Sequence, residues 1–335
     1  MSAWDHLDDA VRFQIALAVA RRRGAEFCGV GNVVSVGAGF RLRGQGHNLV
    51  PEVCLRFMVK RKWSDKRARP SKIPPVIRAY PLLDGRRRLV LIPTDVSEFS
   101  AGEPHAAVNL TAGITSRQGG VGLEYGAVCG LVRNVLQPSQ RYLLSCYHVF
   151  SPRLLQPPPP ELDCITSAND VRIGDVFSAA QAEGVNGLDA ALVLVDDAAM
   201  DSVSVWGRSI RSRATDFDVS VMHERGPFYV LGRQTAPQVG SLPTVTRDDA
   251  LPVQFAGFFP RTLPFDYRAT AGRTYDFAGT IQYVGDVRPV DSGSALIDGA
   301  GMLYGMHFYG EGTLGYALAA PRLFDPDVFS LNITL

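Results

Sequence analysis

The stretch SALIDGAGMLYGMHFYG, residues 294–310, consists of two short apolar runs separated by glycine and aspartate. Its apolar residues do not repeat with the 3.6-residue period of a helix. The same pattern of short apolar runs continues on the N-terminal side of this stretch. No helical period interrupts the pattern between residue 105 and the C-terminal tail. Further runs are GAVCGLV (126–132), RYLLSCYHVF (141–150), DAALVLV (189–195), FYVLG (228–232) and AGTIQYVG (278–285). Many short strands between turn signals predict a mainly β domain over residues 105–335, a sandwich or a barrel.

The composition is that of a globular protein with a substantial core. Of the 335 residues, 46% are hydrophobic and 20% are charged, which suits one large domain or two smaller ones. No stretch approaches the roughly 20 apolar residues that span a bilayer. The five cysteines are odd in number and lack CxxC spacing, which favours reduced thiols. Acidic residues precede the first apolar run, where a secretory signal has basic ones. These features predict a cytoplasmic protein.

The first hundred residues differ from the rest of the chain. Residues 5–23 are predicted to form an amphipathic helix with Asp in its first turn and Arg in its last, and Gly24 is predicted to end it. A small α+β unit follows, with strands predicted over Val30–Val36, Val53–Val59 and Leu89–Ile92. The chain is therefore divided into an N-terminal helix at 1–27, an extension domain at 28–100 and a β domain at 105–335.

The net charge of +1 conceals an excess of basic residues near the N-terminus. The first hundred residues carry about twice as many basic as acidic groups. They cluster at Arg21–Arg23, Lys60–Lys72 and Arg86–Arg88. Only Trp63 supplies an interleaved aromatic ring, so nucleic acid is a weaker prediction than a solvated face or a docking surface for an acidic protein partner.

Three residues in the β domain fit the chemistry of serine-based acyl transfer. That chemistry requires a base to remove the hydroxyl proton, a carboxylate to orient the base, and backbone N–H groups to stabilise the oxyanion. His148 closes one apolar run, Asp189 begins another, and Ser292 lies in a glycine-containing turn before a third. Asp189 follows His148 by 41 residues and Ser292 follows Asp189 by 103, which leaves room for a half barrel on each side. The order and the strand-end positions predict a catalytic triad.

These motifs resemble those of the trypsin-like (chymotrypsin-fold) serine peptidases. LLSCYHVF (143–150) looks like the family's histidine strand, LDAALVLV (188–195) like its aspartate strand, and DSGSAL (291–296) like its serine turn. The resemblance covers residues 105–325 and implies a double β-barrel. Residues 28–100 look like the extension that precedes the protease domain in a bacterial subset of the family. The implied fold is a trypsin-like double β-barrel preceded by a small α+β domain with an N-terminal helix.

The resemblance implies an endopeptidase that hydrolyses peptide bonds of partner proteins. Ser292 is then the nucleophile, His148 the general base and Asp189 the residue that orients it, while the backbone N–H groups of Ser292 and Val290 form the oxyanion hole. The family usually has glycine at the position of Val290, and a β-branched residue disfavours the backbone conformation that this glycine often adopts. A catalytically impaired peptide-binding or scaffold protein of the same fold is therefore the alternative.

The resemblance suggests two opposite substrate preferences. Asp286 lies six residues before Ser292, where trypsin has the carboxylate that binds Arg or Lys, and this predicts cleavage after basic residues. His307 matches the histidine that glutamate-specific members use against an acidic side chain. Tyr309 and Gly310 follow it on the strand that borders the primary pocket in the family, so they too are predicted to bind substrate. The structural alternative is that Asp286 pairs with His307 or faces solvent.

Other chemistry is not indicated by the motifs. GVGNVVSVGAG (29–39) lacks the third glycine of a dinucleotide loop, and the sequence contains neither HExxH nor a run of Cys and His ligands, so no cofactor and no metal are predicted. A protease in the cytosol needs control, which predicts that the N-terminal part regulates it or recruits a partner. Family association adds a bacterial stress or antiviral defence pathway. If the pocket accepts arginine, the stretches 67–69 and 86–88 are predicted sites of autoprocessing.

Overall fold

The structure is a computed structural model that describes most of the chain. The described residues are 3–28, 32–43, 48–60, 73–98, 114–116, 126–151, 162–166, 171–179, 187–199, 210–215, 226–231, 250–267, 273–287 and 291–335. Val290, most of the basic stretch 60–72 and the arginines within 67–69 lie outside these ranges.

A 20-residue helix, α1, spans Asp9–Cys28 after a 3-10 turn at Ala3–His6. Near its start the Asp8 carboxylate accepts the backbone N–H of Val11 at 2.7 Å, as an N-cap side chain does. One face of the helix is buried, and its central residues recur at helical spacing: Phe13, Ala16, Leu17 and Ala20. None of the described helices is long and apolar enough to cross a membrane.

The prediction that this helix ends at Gly24 is wrong, because α1 continues to Cys28. A Cβ at Gly24 would lie 2.7 Å from Cδ of Arg261, so the glycine makes room for a side chain from the C-terminal half of the chain. An ion pair of 3.0 Å between Arg23 and Glu26 spans the additional turn. Close packing, not helix termination, explains this glycine.

In the described part of the region up to Glu98, six strands follow α1, and three of them overlap the strands predicted there. Their bounds are β1 Val33–Arg43, β2 Asn48–Val59, β3 Val76–Ala79, β4 Leu82–Leu83, β5 Arg86–Arg87 and β6 Val90–Glu98. β2 pairs antiparallel with β1 and parallel with β6, and β3 pairs antiparallel with β6. The strand β6 passes through Pro93, which lies opposite Val76 of β3 and just before the pairing with β2 begins at Thr94.

Seven short strands form the sheet of the first barrel. Their bounds are β7 Ile114–Thr115, β8 Gly130–Asn134, β9 Arg141–Ser145, β10 Asp163–Thr166, β11 Arg172–Ala179, β12 Ala191–Val195 and β22 Ile333–Thr334. Their order within the described residues is β22-β8-β9-β12-β11-β10-β7. The C-terminal strand β22 pairs with β8, so the end of the chain returns to this sheet.

The second barrel is closed. Its six strands follow the order β14-β19-β20-β21-β18-β15, and β14 pairs with β15 to complete the circle. The remaining elements are β13 Ser212–Arg213, β14 Phe228–Leu231, β15 Ala250–Phe259, β16 Leu263–Tyr267, β17 Arg273–Phe277, β18 Thr280–Val284, β19 Ala295–Asp298, β20 Met302–Glu311, β21 Leu314–Ala319, α2 Ala320–Leu323 and α3 Pro326–Phe329. The predicted fold class, mainly β with a double barrel after an N-terminal helix, is confirmed.

The N-terminal strands join the second barrel directly. β1 pairs with β15 at Ala38↔Phe258 and Gly39↔Gly257, so the described strands of both units form one continuous sheet. Phe13 of α1 packs 5.9 Å from Phe255 of β15, centroid to centroid, and the two share one apolar core. The division at residues 100–105 stays a prediction, because that segment lies outside the described residues.

Candidate active site

His148 lies in a single 3-10 turn at the end of β9. The chain continues from β9 through extended Cys146 into the turn Tyr147–Val149. The backbone N–H of Phe150 donates to the carbonyl oxygen of Tyr147 at 3.0 Å and closes the turn. His148 is only 2% exposed, so its ring is oriented by protein groups more than by water.

Asp189 contacts His148 at two points. β12 pairs with β9 at Ala191↔Ser145, and this pairing brings the nearby Asp189 beside the histidine turn. The Asp189 Oδ1 accepts the backbone N–H of His148 at 3.0 Å, and its Oδ2 forms a hydrogen bond with the ring Nδ1. Asp189 is fully buried, so these bonds replace lost hydration. With Nδ1 directed at a carboxylate, Nε2 is the ring nitrogen that can exchange a proton with a reacting group.

The turn that carries Ser292 requires the glycine that follows it. Gly293 has φ +94°, a conformation that side chains rarely adopt. A Cβ at Gly293 would lie 2.2 Å from the carbonyl oxygen of Ala127 and 2.5 Å from Oγ of Ser145. The turn therefore packs backbone-to-backbone against the first barrel, beside the end of β9.

Backbone hydrogen bonds attach the Ser292 turn to both barrels. The carbonyl oxygen of Ser292 accepts the N–H of Ala127, which leads into β8, at 2.7 Å. The N–H of Gly293 donates to the carbonyl oxygen of His307 on β20 at 2.8 Å. The serine turn therefore lies at the junction of the two barrels.

Gly126 lies between the turn that carries Ser292 and the turn that carries His148. A Cβ at Gly126 would lie 2.7 Å from the carbonyl oxygen of Ser292 and 2.2 Å from Cγ2 of Val149. Since Val149 directly follows His148, the two turns are neighbours across Gly126. The turn that carries Ser292 is thus a neighbour of the turn in which His148 is bonded to Asp189.

The two predicted specificity residues lie in different environments. His307 is buried, and its Nδ1 forms a hydrogen bond of 2.5 Å with the hydroxyl of Tyr283. Burial, with a further contribution from the charge of Asp291, raises the pKa of Tyr283 well above its ordinary value, so this hydroxyl stays protonated. Asp286 is exposed, just after β18 ends.

Tyr309 and Gly310 lie on β20, opposite Tyr316 and Gly315 of β21. The Tyr309 side chain is 1% exposed, and its ring packs 4.9 Å from that of Phe265. Its ring is therefore part of the barrel core, and its predicted role in substrate binding stays a prediction. Val290, the predicted oxyanion-hole partner of Ser292, is outside the described residues.

A thiol lies beside the His148–Asp189 pair. The potential ligand atoms of Cys146, His148 and Asp189 lie within 4.8 Å of one another. Sγ of Cys146 donates to the carbonyl oxygen of His307 at 3.2 Å. Burial raises the pKa of this thiol well above its ordinary value, so the thiol keeps its proton beside the pair. The group is therefore a histidine–carboxylate pair with a neutral thiol beside it.

Sequence reasoning did not identify Tyr283 or Cys146 as parts of the site. Cys146 is two residues from His148, so its proximity could have been predicted from the run itself. Tyr283 contacts His307 from another strand, 24 residues away, and no local pattern indicates that contact.

No protein-family model matches the chain, and no curated protein matches it. Among solved structures, the chain is similar to the Rv3671c protease from M. tuberculosis in its active form, with 15% identity and a TM-score of 0.35 over 62% of this chain and 82% of that one. The inactive form of that protease gives 17% identity and a TM-score of 0.31, over 60% of this chain and 86% of that one. At these scores the similarity assigns neither a family nor an activity.

Proposed function

We propose that this chain is a serine endopeptidase with Ser292 as nucleophile, His148 as general base and Asp189 as the residue that orients the base. The observation that carries the proposal is the double contact of Asp189 with the backbone N–H and ring of His148. A buried carboxylate that fixes the ring orientation of a histidine at a strand end is what acyl transfer requires. The adjacent serine turn supplies the third group.

The proposed reaction moves one proton through His148. Ser292 Oγ forms a bond to the carbonyl carbon of the substrate while its proton moves to Nε2 of His148. The Asp189 carboxylate stabilises the imidazolium that results. His148 then transfers the proton to the leaving amine as the peptide C–N bond breaks. Water, activated by His148, hydrolyses the acyl-enzyme and restores Ser292.

We place the oxyanion hole at the backbone N–H groups of Ser292 and Val290. The backbone N–H of the next residue, Gly293, already donates to the carbonyl oxygen of His307, so we do not include it in the oxyanion hole. This supports an oxyanion hole on the N-terminal side of the turn, as oxyanion stabilisation needs N–H groups directed at one point.

We propose that the enzyme cleaves after basic residues, with Asp286 binding the Arg or Lys side chain. Asp286 is exposed, as a carboxylate that meets a substrate from solution must be. His307 is buried and its Nδ1 is bonded to Tyr283, so it is less suited to contact an acidic side chain directly. Replacing Asp286 with alanine should remove the preference for Arg and Lys in a peptide-library digest.

Labelling with a fluorophosphonate probe tests the proposed activity, since the probe reacts only with an activated serine. Wild-type protein should be labelled and should cleave library peptides, whereas Ser292→Ala should do neither. A folded wild-type protein that resists the probe but binds peptides would favour the alternative, a peptide-binding module of the same fold. The specific observation behind that alternative is valine at position 290, where this fold usually carries glycine.

We further propose a reducing compartment and a protein partner. All five cysteines are free thiols, which fits the cytosol predicted from their number. The hairpin of β4 and β5 exposes Arg86 and Arg87 beside exposed Leu82, and we propose it as the docking surface for an acidic partner. The same hairpin contains the arginines at 86–88 that were predicted as autoprocessing sites. A role in bacterial stress or antiviral defence stays a prediction from resemblance.

A further inference from the structure

Arg56 of β2 is a completely buried cation whose guanidinium group reaches from the N-terminal unit into the second barrel. Its Nη1 donates to Oε1 of Gln282 on β18, and its Nη2 donates to Oγ of Ser97 at 2.9 Å. The nearest carboxylate oxygen in an ion pair, from Asp95, is 3.9 Å from Nε. The guanidinium carbon lies 5.9 Å from the ring centroid of Phe259. Removing a cation from water is costly, and these contacts offset only part of that cost.

Gly39 provides space for this side chain, and Gly257 lies beside it. A Cβ at Gly39 would lie 2.7 Å from Cδ of Arg56, and a Cβ at Gly257 would lie 3.5 Å from its Nη1. Gly39 and Gly257 are opposite each other where β1 pairs with β15. Arg56 therefore crosses the junction between the N-terminal unit and the barrel at the point where both strands lack a side chain.

The contacts of Arg56 lead to the predicted pocket wall. Nε2 of Gln282 donates to the hydroxyl of Tyr316 on β21 at 2.8 Å. Tyr316 is paired with Tyr309 across β20 and β21, and their ring centroids are 6.0 Å apart. The next pair along these strands is Gly310 with Gly315. Three contacts thus connect Arg56 of the N-terminal unit to Tyr309, and Gly310 follows Tyr309 on the same strand.

We propose that Arg56 is a positioning residue for substrate binding: through Gln282 and Tyr316 it fixes the β20–β21 wall on which Tyr309 and Gly310 lie. The proposal rests on the proposed function and on the prediction that Tyr309 and Gly310 of this wall bind substrate. The N-terminal unit is then a part of the binding site, and it sets affinity for substrate without touching the catalytic groups.

The test compares Arg56→Met with Arg41→Met, a matched control in the same sheet. Methionine conserves much of the volume and removes the buried charge, a change that proteins often tolerate. Arg41 is partly exposed and pairs with Glu52, away from the Gln282–Tyr316 contact. With a peptide that wild-type protein cleaves fastest, Arg56→Met should raise KM about tenfold and leave kcat within about twofold, and Arg41→Met should change neither.

A binding measurement separates this proposal from the proposed activity. The probe is the octapeptide that the Ser292→Ala protein retains most strongly from a random library. Adding Arg56→Met to Ser292→Ala should raise the Kd for this octapeptide by the same factor, about tenfold. Absence of cleavage by wild-type protein contradicts the proposed activity, while the Kd still tests Arg56. An unchanged Kd and KM in folded Arg56→Met, or no peptide binding by the folded protein, would overturn the inference.

A second variant covers the case in which Arg56→Met does not fold. Tyr316→Phe removes only the hydroxyl that accepts from Gln282, and it should weaken peptide binding in the same direction. The double variant Arg56→Met, Tyr316→Phe should bind no more weakly than the weaker single variant, because both changes act through Gln282. Full additivity of the two effects, or a Tyr316→Phe protein with unchanged Kd and KM, would show that the contacts are structural only.

Discussion

At the residue scale, Asp189 combines complete burial with two hydrogen bonds to one histidine. Asparagine has nearly the same shape, but an amide in place of Oδ2 presents a donor to the Nδ1 side of His148 and favours the wrong tautomer. We expect Asp189→Asn to lower kcat by about 10⁴-fold with the fold retained, measured on the fastest-cleaved library peptide. Asp175→Asn, at an exposed site paired with Arg172, is the control. A loss below tenfold would remove Asp189 from the mechanism.

The serine turn depends on the backbone conformation of Gly293, which has positive φ. Alanine there would have to adopt φ +94° and would place Cβ 2.2 Å from the carbonyl oxygen of Ala127. We expect Gly293→Ala to lower the free energy of unfolding by at least about 2 kcal/mol, measured by urea denaturation. Gly299→Ala is the control, because a Cβ at Gly299 has nothing within 4 Å. Equal stability of the two variants would mean that the turn relaxes without cost.

At the scale of elements, the hairpin of β4 and β5 combines exposed apolar and basic side chains. Its turn has positive φ at Asp84 and Gly85, which suits a two-residue hairpin loop. Tyr80 is 61% exposed and Leu82 is 70% exposed. Arg86 and Arg87 of β5 are exposed as well, so the hairpin also presents positive charge to solvent. Apolar surface next to exposed positive charge favours an acidic protein segment.

Charge reversal at this hairpin should weaken the binding of an acidic peptide. We expect Arg86→Glu with Arg87→Glu to reduce the affinity for a glutamate-rich dodecapeptide carrying one tyrosine by at least about fivefold at 0.1 M salt, read by fluorescence anisotropy. Arg133→Glu, an exposed arginine of the first barrel, should not change it. Equal weakening by Arg133→Glu, or tighter binding of a single-stranded oligonucleotide of the same length, would contradict a protein-docking role.

Local patterns predicted the elements better than the contacts between them. Alternation and turn signals depend on neighbouring residues, and they correctly predicted many short strands, with His148 and Asp189 at strand ends. Gly24 fits a helix-stop pattern, but its environment is set by Arg261, far along the chain. The bond between Arg56 and Gln282 spans 226 residues, so no local window could indicate it. The catalytic roles stay predictions, because geometry alone does not measure reactivity.

At the scale of the whole molecule, the candidate site lies at the junction of the two barrels, and the N-terminal unit is joined to the second of them. The first barrel supplies His148 and Asp189, and the second supplies the Ser292 turn. The N-terminal sheet continues into the second barrel through β1 and β15. Removing the N-terminal unit would therefore remove the strand that pairs with Gly257 and Phe258 of β15, so we expect the unit and the barrel to fold together.

Buried groups that stay protonated in the folded state predict a loss of stability at alkaline pH. Burial raises the pKa of Tyr316 to about 12 and that of Cys54 to about 12, from ordinary values of 10.0 and 9.0. The folded state thus keeps these protons at a pH where the unfolded chain releases them. Their contribution is fully present below pH 9 and is lost as pH rises towards 12. Each group should lower the free energy of unfolding by up to about 1.4 kcal/mol per pH unit in its window.

Urea denaturation between pH 8 and pH 11 measures this effect. Tyr316→Phe should flatten the decline above pH 10, because the phenolic proton is absent from both states, whereas Tyr80→Phe at an exposed site should leave the decline unchanged. Activity need not follow the same curve, since the proposed catalytic proton moves through His148. A free energy of unfolding that stays constant up to pH 11, or an equal response to both phenylalanine variants, would mean that water reaches the Tyr316 hydroxyl and that the junction between β2, β18 and β21 is open.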